Sequence, residues 1–96
     1  MKTPQVLIIG LGGVGSWILE LLARSEGISS VVGADFSEDW GRKRVHTAAA
    51  GVILQGCYPH LEFVGIDLQD VDATAETISR LQPQMIINCA TLQTWW

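Results

Sequence analysis

The feature that most constrains this chain is a set of glycines that directly follows a strand-like apolar run near its start. Gly10, Gly12 and Gly15 have the spacing G-x-G-x-x-G, and residues 5–9 before them are mostly aliphatic. This context predicts a buried strand that turns sharply into a helix. The first glycine allows the tight turn, the second lets a phosphate approach the backbone, and the third lets helix and strand pack closely. The pattern therefore predicts a phosphate site at a helix start.

Short apolar runs alternate with helical patterns along the rest of the chain. Strands are predicted over residues 5–9, 30–35, 61–66 and 85–89, and helices that start near residues 14, 42 and 70 and end near 24, 55 and 81. Residues 37–41 are predicted to form a polar loop. The order βαβαβαβ predicts an α/β fold, a doubly wound parallel sheet of the Rossmann type with helices on both faces. In the first helix an apolar stripe is predicted to face the core; it comprises Val14, Trp17, Ile18, Leu21 and Leu22.

An acidic residue ends the second predicted strand. Asp35 lies 20 residues beyond Gly15, where a carboxylate accepts hydrogen bonds from the hydroxyls of an adenosine ribose. The pyrophosphate of a dinucleotide is expected on the free N–H groups at the start of the first helix, around Gly13 and Val14. The alternative is that the glycines only form a sharp turn, which would leave the position of the carboxylate a coincidence.

Two features bear on the choice of dinucleotide. The Asp35 carboxylate repels a 2′-phosphate, and Phe36 stands where an NADP-binding protein often offers a basic residue. Arg42, Lys43 and Arg44 follow within a turn or two, and one of them, with Arg42 as the candidate, could reach a 2′-phosphate. The alternative for these three residues is a solvated helix face. We expect NAD as the cofactor, with NADP as the alternative.

Composition and charge limit the partners. A net charge of −4 argues against a nucleic-acid partner, which would require a basic stripe. No apolar run approaches the roughly 20 residues of a membrane span, and the start lacks a secretory signal, so a cytoplasmic protein away from membranes is expected. Cys57 and Cys89 are expected to be reduced thiols. Neither they nor His46 and His60 have the spacing of metal ligands, so no metal is expected.

The end of the chain suggests that more polypeptide follows. Two tryptophans, Trp95 and Trp96, end the sequence without a cap or a polar tail. We expect residues 1–96 to be the amino-terminal part of a dinucleotide-binding domain, truncated after the fourth strand. The domain that binds the small-molecule substrate and the catalytic groups are expected beyond Trp96, because no general acid or base is visible. Trp40 and the terminal pair are expected to pack against that chain, and the open sheet edge would suit a homo-oligomer.

Four segments resemble the saccharopine dehydrogenase-like group of NAD(P)-dependent oxidoreductases. They are residues 6–15, 33–35, 65–70 and 82–90. The resemblance implies binding of the dinucleotide for hydride transfer to or from an amino-acid-type substrate or an imine-type condensation product. It also implies that Asp67 and Leu68 line the adenine pocket. By the same resemblance, three residues would lie beside the nicotinamide half of the cofactor: Cys89, Ala90 and Thr91.

Residues 10–17 also resemble the ATP-binding turn of enzymes that adenylate ubiquitin-like or sulfur-carrier proteins. That family expects a second aspartate two residues after the first, where this chain has Ser37, and an aspartate near the fourth strand, where it has Asn88 and Cys89. ATP-dependent adenylation is therefore an alternative that the sequence supports less well. A non-catalytic nucleotide-sensing domain is a further alternative, because it would use the same turn.

Overall fold

The computed structural model describes residues 5–90. Its strands are β1 (Val6–Ile9), β2 (Ser30–Asp35), β3 (His60–Gly65) and β4 (Met85–Asn88). Its helices are α1 (Gly13–Ala23), α2 (Glu38–Ile53) and α3 (Val71–Leu81). The elements alternate as βαβαβαβ, which confirms the predicted fold class.

All four strands are parallel and lie in the order β3-β2-β1-β4. In the register of this sheet, Leu7 of β1 pairs with Val32 on one side and with Ile86 on the other. The chain runs outward from β1 to β3 and then crosses back to place β4 on the far side of β1. The strand order therefore reverses beside β1, and ligands of open α/β sheets bind outside the carboxyl ends of the strands at such a point.

The core has two layers, one on each face of the sheet. The layer under α1 and α2 contains Val6, Ile8, Leu11, Leu19, Val31, Val45 and Ala48. The layer on the α3 face contains Leu7, Ile9, Val32, Ala34, Ile66 and Leu81. Successive residues of β1 enter opposite layers because strand side chains alternate between faces. This double burial explains why β1 is a continuous apolar run rather than an alternating one.

Helix α1 packs through a different face from the one that the sequence predicted. The prediction is correct for Ile18 and Leu22, which pack against the core, but Trp17 is 65 % exposed. The other exposed members of the predicted stripe are Val14 and Leu21. The buried positions of α1 are Gly15, Leu19 and Ala23. Two of these are small residues that let the helix approach the sheet closely, and this rotates the bulkier stripe toward solvent.

Helix α2 begins at Glu38, four residues before the predicted start. Ser37 is its N-cap, and its hydroxyl accepts a hydrogen bond from the Trp40 N–H at 3.4 Å. Glu38 and Asp39 occupy the first turn, where the positive end of the helix dipole stabilises negative charge. The predicted loop over residues 37–41 is therefore wrong. The other element ends agree with the prediction to within two residues.

Within residues 5–90, no helix is long and apolar enough to cross a membrane. Within the same residues, no group of three or more histidines, cysteines, aspartates or glutamates is arranged to hold a metal ion.

Candidate functional site

A cleft of about 400 Å³ lies at the carboxyl end of the sheet. The segments that follow all four strands contribute to its walls, so it occupies the place where the strand order reverses. It is lined by these residues that the sequence analysis singled out: Gly10, Gly12, Asp35, Phe36, Asp67, Leu68, Cys89 and Ala90. Ile9, Ile66 and Gln69 complete the lining. The fold thus brings the glycine turn, the acid at the end of β2 and the segments after β3 and β4 to one place.

Four other predicted site residues do not line the cleft. Gly13, Val14 and Gly15 form the first turn of α1, next to the cleft. Arg42 lies on α2 and is not among the residues that line the cleft. Thr91 lies outside the described residues.

Protein packing requires two of the three glycines of the turn, Gly10 and Gly15, but not Gly12. Gly10 has a φ of +93°, and an added Cβ would lie 2.7 Å from the Ala90 nitrogen. At Gly15 an added Cβ would lie 1.7 Å from the Gly10 carbonyl oxygen. Protein packing therefore excludes side chains at both positions. At Gly12 an added Cβ would have no neighbour within 4 Å, so packing does not account for this glycine, and the space beside it is open.

The start of α1 offers unpaired donors beside this open space. Gly12 is the N-cap residue, and no side chain caps the helix. The first N–H groups of a helix have no partner within it, and here Gly12, Gly13 and Val14 are exposed. Because the helix dipole also places positive potential at this end, the arrangement favours an anion.

The Asp35 carboxylate is held in place by the backbone. Its Oδ2 accepts a hydrogen bond from the Leu11 N–H at 2.7 Å, and its Oδ1 accepts one from the Ser37 N–H at 2.9 Å. Each carboxylate oxygen has a further lone pair. Asp35 therefore presents a fixed, negatively charged acceptor to the cleft, and hydroxyl groups of a ligand can donate to it.

The Leu11 carbonyl reveals a residue that the sequence analysis misplaced. It accepts hydrogen bonds from Ser16 Oγ at 2.6 Å and from Trp40 Nε1 at 2.8 Å. Within the described residues the Trp40 indole reaches the glycine turn, and the expectation that Trp40 also packs against chain beyond Trp96 stays a prediction. The missed signal was Ser37 followed by two acidic residues, which is typical of a helix start and places Trp40 in the first turn.

The basic residues of α2 are engaged with neighbouring side chains. Arg42 forms an ion pair with Glu38 at 2.7 Å, and its guanidinium lies 5.5 Å from the centre of the Phe63 ring. The Arg44 guanidinium lies 3.9 Å from the centre of the Trp40 ring. Arg44 also lines a second pocket of about 270 Å³ on the α1 side of the turn. Of the three basic residues, Arg44 is thus the one beside the glycine turn.

The segments after β3 and β4 are shaped by their own side chains. Asp67 Oδ1 accepts a hydrogen bond from the Gln69 N–H at 3.0 Å, and Asn88 Oδ1 accepts one from the Ala90 N–H at 3.0 Å. The Cys89 N–H donates to the Ile9 carbonyl at 2.7 Å and continues the pairing of β4 with β1. Asn88 is a second residue that the sequence analysis did not assign to the site. Its amide holds Ala90 against Gly10.

The comparisons with known proteins agree with this geometry. The family model of the saccharopine dehydrogenase NADP binding domain matches residues 6–93. The match includes the glycine turn, the acid at the end of β2 and every segment that lines the cleft. No curated protein matches the chain. The family match supports dinucleotide binding, and it favours the first of the two resemblances over the adenylating enzymes.

Proposed function

Because the chain belongs to the saccharopine dehydrogenase NADP binding domain family, we propose that its cleft holds a nicotinamide dinucleotide for hydride transfer in an oxidoreductase. Although the family is described as NADP binding, we further propose that this chain prefers NAD to NADP. The cofactor carries the hydride, while the protein supplies its position and its electrostatic environment. The observation that carries the cofactor preference is the fixed carboxylate of Asp35 in the lining of the cleft.

The pyrophosphate is assigned to the start of α1. Gly12 leaves open space there, and the uncapped N–H groups of the first turn supply donors. Val14 and Gly13 are exposed and sit at the positive end of the helix dipole. The same arrangement would bind the phosphates of ATP, so this part of the site supports a nucleotide but does not select the dinucleotide.

The adenosine ribose is assigned to Asp35. Its carboxylate would accept hydrogen bonds from the ribose hydroxyls, whereas a 2′-phosphate would bring negative charge beside it. Two unit charges about 4 Å apart repel by about 4 kcal/mol at an effective dielectric constant of 20. None of the three basic residues of α2 lines the cleft beside Asp35. Arg42 pairs with Glu38, and Arg44 lies on the α1 side of the glycine turn.

The substrate is proposed to be an amino-acid-type compound or an imine formed from one, as the resemblance implies. The ionisable groups that line the cleft are Asp35, Asp67 and Cys89. Asp35 is assigned to the ribose, and the resemblance places Asp67 at the adenine and Cys89 beside the nicotinamide half. We therefore assign the acid and base of the reaction to chain outside residues 5–90. Both described cysteines are free thiols, in keeping with the cytoplasmic location that we propose.

Calorimetric titration of the chain with NAD⁺, NADP⁺ and ATP–Mg²⁺ tests this proposal. We expect saturable binding of NAD⁺, at least about tenfold tighter than that of NADP⁺, which corresponds to about 1.4 kcal/mol. The Gly12→Asp variant should lose this binding, because a carboxylate there repels the pyrophosphate. Asp35→Ser should narrow or reverse the preference for NAD⁺ over NADP⁺. The control Asp39→Ser removes an exposed acid of α2 that does not line the cleft, and it should leave the preference unchanged.

Two outcomes would contradict the proposal at different levels. Tighter binding of NADP⁺ than of NAD⁺ by the unmodified chain would overturn the cofactor preference but would leave the dinucleotide site in place. Binding of ATP–Mg²⁺ without either dinucleotide would overturn the function and favour the adenylating alternative.

A further inference from the structure

The peptide units on both sides of Leu11 are held by one short segment of the chain. Within residues 35–40, Asp35 accepts from the Leu11 N–H and Trp40 Nε1 donates to the Leu11 carbonyl. The Leu11 side chain is completely buried. The second residue of the glycine turn is therefore fixed by its side chain, its N–H and its carbonyl.

We propose that Trp40 is a positioning residue of the nucleotide site, because its indole N–H sets the orientation of the Leu11–Gly12 peptide. A trans peptide is planar, so the Gly12 N–H points opposite to the Leu11 carbonyl. Holding the carbonyl toward Trp40 therefore aims the Gly12 N–H away from α2. In this orientation it serves as a donor for the pyrophosphate, an assignment that depends on the function proposed above.

The indole itself is held from two directions. Trp40 lies in the first turn of α2, whose start is fixed by the Ser37 cap, and the Arg44 guanidinium lies 3.9 Å from the centre of its ring. This stacking is a cation–π contact that restrains the ring plane. A rigid donor at the end of a helix is suited to fix the peptide of a loop.

The indole bond is not needed merely to satisfy the carbonyl. Ser16 Oγ already donates to the same Leu11 oxygen at 2.6 Å, so removal of the indole N–H leaves no unpaired buried acceptor. The large penalty for an unsatisfied buried polar group is thereby avoided. After loss of the indole bond the carbonyl is held from α1 alone, by Ser16, and no longer from α2. The substitution should therefore change the orientation of the peptide more than the stability of the fold.

The test compares Trp40→Phe with Trp17→Phe. The first substitution removes the indole N–H but keeps a ring beneath Arg44. The second makes the same change at a tryptophan of α1 that is 65 % exposed and lines the second pocket beside the turn. The Trp17 indole does not bond to the Leu11 carbonyl, so this variant controls for the loss of an indole that does not hold that carbonyl. Dissociation constants are measured by NMR titration for NAD⁺ and for adenosine, which has no phosphates. Trp40→Phe should weaken NAD⁺ binding about 3- to 10-fold and leave adenosine binding unchanged. Trp17→Phe should alter neither constant.

Two results would overturn the proposal. One is equal NAD⁺ affinity of Trp40→Phe and Trp17→Phe, and the other is a parallel loss of NAD⁺ and adenosine binding, which would indicate a general structural defect. If the unmodified chain binds no dinucleotide, the proposed function fails. The role of Trp40 in orienting the peptide is then decided in the free protein by the ¹H–¹⁵N resonance of Gly12. This resonance should shift in Trp40→Phe and not in Trp17→Phe, and an unshifted resonance would refute that role.

Discussion

Asp35 and Leu11 are 24 residues apart in sequence, and the Asp35 carboxylate accepts a hydrogen bond from the Leu11 N–H at 2.7 Å. The bond ties the end of β2 to the glycine turn that follows β1. Asp35, which is proposed to bind the ribose hydroxyls, thus also supports the loop that is proposed to hold the pyrophosphate. Substitutions of Asp35 should consequently affect stability as well as cofactor choice, and the two effects can be separated.

Asp35→Ala should destabilise the fold by about 1–3 kcal/mol, because it leaves the N–H of the buried residue Leu11 without an acceptor. Asp35→Asn should lower the free energy of unfolding by less, because the amide oxygen of asparagine can still accept the hydrogen bond from the Leu11 N–H. The measurement is urea unfolding followed by circular dichroism. Equal free energies of unfolding for the two variants would show that the bond to Leu11 contributes nothing measurable.

Alanine substitutions at two glycines of the turn should separate folding from binding. Gly15→Ala places a Cβ 1.7 Å from a backbone oxygen, which cannot be relieved by a side-chain rotation, so we expect a loss of about 3 kcal/mol or more. Gly12→Ala meets nothing within 4 Å and has a φ of −72°. Its unfolding free energy should change by less than about 1 kcal/mol, while NAD⁺ binding weakens because the methyl group occupies the space assigned to the phosphates.

Thermal unfolding and calorimetry on the same samples provide the check. A Gly12→Ala variant that binds NAD⁺ as tightly as the unmodified chain would contradict the placement of the pyrophosphate. A Gly15→Ala variant of normal stability would contradict the close approach of α1 to the turn.

Most of the proposed site was predictable because its signals are short and local. The spacing of Gly10, Gly12 and Gly15 and the distance to Asp35 are set by one strand, one helix and a second strand. Chain topology alone then brings the ends of parallel strands to one edge of the sheet. The segments after β3 and β4 were predicted to belong to the site from the family resemblance, and the fold places them in the same cleft.

The parts that were missed depend on tertiary packing or on a single cap. Spacing showed that α1 has an apolar stripe, but it could not show that Gly15 and Ala23 would form the close contact with the sheet and leave Trp17 outside. The role of Trp40 was hidden because the start of α2 was placed too late. A hydrogen bond across 29 residues between an indole and a loop carbonyl leaves no periodic trace in the sequence.

Removal of the Asp70 cap should lower the free energy of unfolding, because Asp70 fixes the start of α3 directly after the segment that forms the cleft wall behind β3. Asp70 Oδ1 accepts a hydrogen bond from the Ala73 N–H at 3.1 Å and caps α3, so Asp70→Ala should cost about 1 kcal/mol. Asp72→Ala removes an acid from the same first turn without removing the cap. It should cost less, about 0.3–1 kcal/mol, through the helix dipole alone. Urea unfolding compares the two variants, and an equal loss would show that the cap bond adds nothing to the dipole effect.

Alanine substitutions at two glycines of α2 should change the free energy of unfolding in opposite directions. At Gly41 an added Cβ would lie 2.0 Å from a ring carbon of Phe63, so the ring or the helix must move, and we expect a loss of about 1–3 kcal/mol. At Gly51 nothing lies within 4 Å, and the helical residue is exposed. Alanine there should stabilise the protein by up to about 1 kcal/mol, because glycine is the poorer helix former.

Urea unfolding of the two single variants and of the double variant provides the measurement. The two changes should be nearly additive, because the sites are well separated along α2 and share no contact in the structure. A Gly41→Ala variant as stable as Gly51→Ala would mean that α2 does not press against the Phe63 ring. Since Gly41 directly follows Trp40, Gly41→Ala should also weaken NAD⁺ binding, whereas Gly51→Ala should leave it unchanged. The distinction follows because only the first substitution displaces the turn of α2 that holds the Leu11 carbonyl.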